Sequence, residues 1–110
     1  MAGSNLFTGT LDLLMLQTLR WGPKHGYGIG KWLVERTGGA VALEESALYP
    51  ALHRLEKKRL IEGDWGETDT GRKARFYTLT KRGRKALEKE TARWEAHAGA
   101  VFAVLRYSVD

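Results

Sequence analysis

Three histidines, thirteen carboxylates and a row of alternating glycines are the residues of this chain whose types could support catalysis, metal binding or phosphate binding. His25, His53 and His97 lie in three separate segments with no paired spacing, so no metal-ligand set forms from them. No Ser/His/Asp arrangement is present, and no carboxylate pair stands apart from ordinary surface charge. No catalytic residue, metal or cofactor is therefore assigned, and the chain is not read as an enzyme. Gly26, Gly28 and Gly30 follow a helix, whereas a dinucleotide loop needs Gly-x-Gly-x-x-Gly after a strand. The chemistry that remains is recognition of a polyanion by spaced cations.

Those cations are best organised between Glu44 and Ile61. With ~100° per residue, Leu52 and Leu55 fall within about 40° of Leu48, so the three share one face of a helix. Ser46, Pro50, His53, Arg54 and Lys57 lie on the opposite side, with no carboxylate among them. Glu56 sits on the flank. A helix with one apolar face and one basic, acid-free face can pack on a domain while lying in a DNA major groove. Ser46 is either the N-cap or an early helical residue. A helix N-terminus also favours a phosphate there. Tyr49 and Pro50 are placed in the first turn, where a missing N–H costs least. The Tyr49 ring is either a packing group or one that brings its hydroxyl to a phosphate.

Leu60 to Thr80 supplies the element beside that helix. β-prone segments flank Thr68-Asp69-Thr70-Gly71-Arg72-Lys73, which contains a turn signal. The pattern predicts a hairpin with Arg72, Lys73 and Arg75 on its tip and return arm. A hairpin after a basic amphipathic helix is the layout of a winged helix-turn-helix, whose wing touches the backbone or the minor groove.

The remaining elements position this pair. Helix one is expected from Thr8 or Thr10 to Arg20, with a threonine cap and a stop at Trp21-Gly22-Pro23. Its apolar surface, more than one buried face needs, points to packing on two sides. Helix two is expected over His25–Arg36, ended by Gly38-Gly39, with glycines that allow close approach to its neighbours. Lys24, His25, Tyr27 and Lys31 are candidate DNA-backbone contacts. Ala40–Leu43 is either a short strand or an extended linker. From Thr80 a helix of about 25 residues follows, with Leu87, Thr91, Trp94, Ala98, Val101 and Leu105 at coiled-coil spacing and Phe102 widening the stripe. Such a helix exceeds what its own small domain covers, so its seam asks for a second copy of the chain.

The division expected is a flexible N-terminus over 1–7, a DNA-binding domain over 8–80, and a dimerisation helix and tail over 81–110. The fold class is mainly α with a small β-hairpin. Net charge is +5 over 110 residues, but residues 1–80 hold eleven cations against nine acids, and 81–110 seven against four. Local placement therefore carries the polyanion argument, and the total adds little. The chain has no cysteine, no run near the ~18 apolar residues that span a bilayer, and no signal-peptide pattern, so a cytoplasmic location and no membrane partner are expected.

On these residues the chain resembles the PadR family of bacterial transcriptional regulators. The resemblance rests on Gly9-Thr10-Leu11-Asp12-Leu13-Leu14, Gly22-Pro23-x-His25-Gly26-Tyr27-Gly28-Ile29, Leu48-Tyr49-Pro50-Ala51-Leu52-His53-Arg54-Leu55-Glu56 and Leu60-Ile61. It continues in Trp65-Gly66-Glu67, Gly71-Arg72-Lys73-x-Arg75-Phe76-Tyr77-x-Leu79-Thr80 and Gly83, and spans residues 8 to 105. The single long C-terminal helix is similar to that of the family's compact subclass. The resemblance implies a homodimeric repressor on a near-palindromic operator. It also implies that Trp94 stacks on a flat aromatic effector between subunits, against the plainer reading of Trp94 as a packing residue. Arg59 departs from the family, which carries glycine there; it either extends the helix or adds a phosphate contact. The alternative function is a protein–protein adaptor that no longer reads DNA, which the cations Arg54, Lys57, Arg72, Lys73 and Arg75 argue against.

Overall fold

The structure, a computed structural model, describes the backbone of residues 2–109 and the side chains of residues 10–109. Helix α1 spans Ala2–Thr18 and runs into a 3-10 turn, Leu19–Trp21. It begins earlier than the expected Thr8 or Thr10, so most of the segment expected to be a flexible N-terminus lies within the helix. The sequence from Ala2 to Thr10 holds no proline to stop helical hydrogen bonding. Strand β1, Lys24–His25, precedes α2, Gly26–Thr37, which ends in the left-handed Gly38. Ala40–Leu43 forms no strand and links α2 to α3 through a bend at Ala40 and Val41.

Helix α3 covers Glu45–Lys57, β2 Ile61–Glu67, β3 Lys73–Leu79 and α4 Lys81–Leu105. The sheet order is β1-β3-β2, all antiparallel, with Ile61 opposite Leu79 and Glu67 opposite Lys73. The hairpin is as expected. The third strand was not, because two residues carry no alternation to read.

One core joins these elements. Met15, Leu16 and Leu19 meet Ile29 and Leu33 of α2, Leu48, Ala51, Leu52 and Leu55 of α3, Ile61, Tyr77 and Leu79 of the sheet, and Leu87 of α4. The leucine face read from α3 is therefore the buried one. Truncating such a leucine to alanine costs about 2–5 kcal/mol.

The corner after α3 is tied to the start of α4. Arg59 has φ 62°, the one positive-φ residue other than glycine among the described residues. Leu60 donates back to the Leu55 carbonyl at 3.0 Å and Arg59 to Glu56 at 2.9 Å, so the helix ends in a left-handed cap. That conformation costs a side-chain-bearing residue about 1–2 kcal/mol relative to the right-handed one. Arg59 thus terminates the helix rather than extending it. Thr80 donates its N–H to the Leu60 carbonyl at 3.1 Å, and its hydroxyl lies 2.8 Å from the Arg59 carbonyl. The same hydroxyl caps α4 by accepting from Gly83 N–H at 2.9 Å. A Cβ at Gly83 would fall on the Leu60 carbonyl oxygen, so only glycine lets α4 approach this closely.

Candidate nucleic-acid interface

Helix α3 places Ser46, Pro50, His53 and Lys57 on one exposed stripe, opposite the buried leucines. Glu44 is the N-cap, so Ser46 is an early helical residue. Pro50 is the sixth residue of the helix, beyond the first turn where it was expected. Its missing N–H withholds the usual i→i−4 bond from the Ser46 carbonyl, leaving an acceptor on the outer face. The stripe thus offers a hydroxyl, an imidazole, an ammonium and a carbonyl oxygen.

Arg54 departs from this face. Its guanidinium bonds the Asp12 carboxylate of α1 at 2.5 Å. It lies about 120° from the leucine stripe on the helical wheel, close enough to the boundary for the long side chain to turn towards α1. Arg54 is thereby a link between α3 and α1 rather than a free cation on the reading face.

Beside α3 a cleft of about 690 Å³ opens between the start of α2 and the wing. His25, Tyr27 and Lys31 form one wall, Arg72, Lys73 and Arg75 the other, and Tyr49 lies between them. Asp69 is the one carboxylate on its lining among the described residues. His25 is there for a local reason: Nδ1 accepts from Gly28 N–H at 2.9 Å, capping α2, and its ring meets the edge of Phe76 at 5.1 Å between centroids. That bond requires Nδ1 unprotonated, so the neutral ring carries its proton on Nε2.

The Tyr49 ring packs on Gly26, where a Cβ would lie 2.9 Å from Cε1, yet the residue is half-exposed. It therefore packs and borders the cleft at once. Gly26 accordingly gives close approach, whereas Gly30 faces open space.

Two of the expected contacts are held back. Lys24 donates Nζ–H to the Thr18 carbonyl at 3.1 Å and lies 5.9 Å from the centre of the Trp32 ring, outside the cleft lining. Arg75 pairs with Glu56 and lies 5.9 Å from the centre of the Tyr77 ring. Burial pushes the Tyr77 phenol above its ordinary 10.0, against the opposing pull of Arg75. Arg72 is exposed, and Lys73, also exposed, lies 5.6 Å from the centre of the Trp65 ring. These two, with Lys31, are the cleft's cations outside any ion pair among the described residues. Nothing in the sequence marked Glu56 as the partner of Arg75. Asp12, the single acid in the apolar run of α1, was a visible signal that a cation would pack there.

A family profile described as "Transcriptional regulator PadR-like family" matches residues 15–89. The chain belongs to this family. A protein of Lysinibacillus sphaericus known as "Uncharacterized protein X" is 31% identical over 94 residues, 86% of each chain. A PadR-like transcriptional regulator from Bacillus cereus superposes with a TM-score of 0.81 at 26% identity, over 94% of this chain and 99% of that one. A transcriptional regulator from Clostridium thermocellum gives 0.79 at 28% identity, over 88% and 94%. The PadR chain is thus a transcriptional regulator by family rather than an enzyme, and the winged-helix reading of its fold stands.

The seam of α4 divides in two. Leu87, expected at a dimer interface, is instead buried in the chain's own core, because the first turns of α4 pack on α1 and β3. Thr91 and Ala98 are half-buried, while Trp94, Val101, Phe102 and Leu105 remain exposed, Leu105 at 72%. Among the described residues no helix is long and apolar enough to cross a membrane.

Proposed function

We propose that this PadR-like regulator is a cytoplasmic repressor that binds a near-palindromic DNA operator as a homodimer. The observation that carries this reading is the exposed, acid-free stripe Ser46–Pro50–His53–Lys57 beside a cleft with cations on both walls. The stripe fits a major groove about 12 Å wide, and the cleft fits one phosphate strand. Tyr27, Lys31, Tyr49, Arg72 and Lys73 are the backbone contacts, and His25 donates through Nε2–H. Arg54, Arg75 and Lys24 hold the reading elements in place through their own partners.

The dimer uses the exposed part of the α4 seam, Trp94 to Leu105. Trp94, at 40% exposure, keeps part of its indole open beside the small Thr91 and Ala98. A flat aromatic effector stacks there and releases the repressor by changing the angle between subunits, provided it prefers one of the two states. Saturable quenching of tryptophan fluorescence by planar dyes, abolished in Trp94→Ala, is the expected result. Its absence assigns Trp94 to packing alone.

The test of the main reading is selection of duplexes from a random library, followed by variants. Recovered sites should contain two half-sites about 34 Å apart. Ser46→Ala and Pro50→Ala should change preference among site variants, by ~1–3 kcal/mol for each base no longer read. Arg72→Ala and Lys73→Ala should weaken all duplexes alike. Equal effects of both groups on selected and random DNA would refute this division, and failure to select any duplex would favour the adaptor reading.

A further inference from the structure

The sheet and α4 bring together a second cationic surface that the cleft does not include. Lys57, Lys58 and Arg59 at the end of α3, and Lys81, Arg82 and Lys85 at the start of α4, are all exposed. No acid occurs within 57–59 or 81–85, and none of the six makes an ion pair among the described residues. Glu56, paired with Arg75, and Glu62 are the carboxylates at the edge of this corner.

The Thr80 bonds to the Arg59 and Leu60 carbonyls, with Gly83 seated on Leu60, make these residues one surface rather than two mobile runs. On the α4 wheel Lys81, Arg82 and Lys85 lie opposite the buried Gly83 and Leu87, so they face away from the core.

The backbone at Arg59 points the same way. Arg59 occupies a left-handed position where glycine would fit without strain, and its side chain is exposed with no partner among the described residues. Strain kept at a surface corner is a sign that the side chain itself has a use there.

The corner also stands at a telling distance from the wing tip. Six residue steps separate the Ile61–Leu79 pair at the base of the hairpin from Glu67–Lys73 at its tip. At ~3.3 Å per residue that is roughly 20 Å. The reading stripe of α3 ends at Lys57, on the corner itself. The two cationic surfaces are therefore separated by more than the ~12 Å width of a major groove, far enough for each to meet a different backbone.

We propose that this corner is a second DNA-backbone contact, binding phosphates on the strand opposite the one the wing engages. The proposal rests on the DNA-binding reading above and adds to it a clamp on both sides of the groove.

The test is a salt titration of binding to a selected 40-base-pair duplex, with hydroxyl-radical footprinting of the same complex. It compares the unmodified protein with Lys81→Ala/Arg82→Ala/Lys85→Ala, with Arg59→Gly, and with the wing variant Arg72→Ala/Lys73→Ala. Arg59→Gly relieves strain, so its effect is not one of failed folding. Each phosphate that is no longer neutralised lowers the log–log salt slope by about 0.9. With three phosphates released, binding becomes less sensitive to a fourfold rise in salt by roughly 40-fold. The corner and wing variants should each abolish protection of a different stretch of backbone. If the corner variants keep the unmodified slope and footprint while the wing variant alters both, the corner is a solvated surface and the proposal is overturned. If the unmodified protein itself binds no duplex, the DNA reading fails first and takes the proposal with it.

Discussion

The indole N–H of Trp94 donates to the hydroxyl of Thr10 at 3.1 Å, joining α4 to α1 at the point where the buried part of the seam gives way to the exposed part. Beyond it, Val101, Phe102 and Leu105 are exposed, Leu105 most of all. The Thr10 contact ties α4 to α1 where α4 leaves the domain.

Dimerisation should therefore depend on the far end of α4. Val101→Asp/Leu105→Asp should give monomer or aggregate in sedimentation, while Trp94→Ala retains dimers through the neighbouring seam residues. A stable monomer from the unmodified protein would contradict this assignment.

The Arg54–Asp12 pair gives a different expectation from a base-reading arginine. Arg54→Ala should lower stability by about 1–2 kcal/mol, as removal of a partly exposed charge-assisted bond does, and weaken binding to all duplexes alike. Asp12→Asn should reproduce the fall in stability in denaturant titration. A change in operator preference with unchanged stability would place Arg54 on the DNA instead.

Much of this was legible because local pattern dictates it. The leucines of α3, the turn before Lys73 and the return to a helix after Thr80 are each set by spacing or by local turn residues. What stayed hidden depends on tertiary partners. Lys24 was visible as a cation, but its bond to the Thr18 carbonyl needs the chain reversal at Gly22. Arg75 read as a wing cation because Glu56, nineteen residues away, meets it only once the hairpin folds against α3. Leu87 fits the heptad and the core equally well in sequence, and only the docking of α4 on α1 separates the two.

Arg59→Gly should raise stability. Removing the left-handed strain of about 1–2 kcal/mol outweighs the greater chain entropy of glycine, about 0.5–1 kcal/mol. A melting midpoint a few degrees higher is expected, and a fall would show that the arginine side chain stabilises the corner.

Tyr77 should make the fold sensitive to alkali. Burial raises its phenol above 10.0, so the neutral form is favoured in the folded chain. That contribution is fully present below pH 10 and is lost as pH rises through the higher folded-state value. Tyr77→Phe should flatten the decline in melting midpoint above pH 10; an unchanged decline would assign it to other groups.

The central claim is that α3 and the flanking cleft bind duplex DNA, and the salt dependence of that binding tests it most directly. Anisotropy of a labelled, selected duplex should show affinity falling steeply between about 50 and 200 mM salt, by ~10³ or more if six or more phosphates are engaged. Arg72→Ala/Lys73→Ala should make the slope shallower. Absence of binding at about 50 mM salt, or binding indifferent to salt and to these two substitutions, would contradict the account.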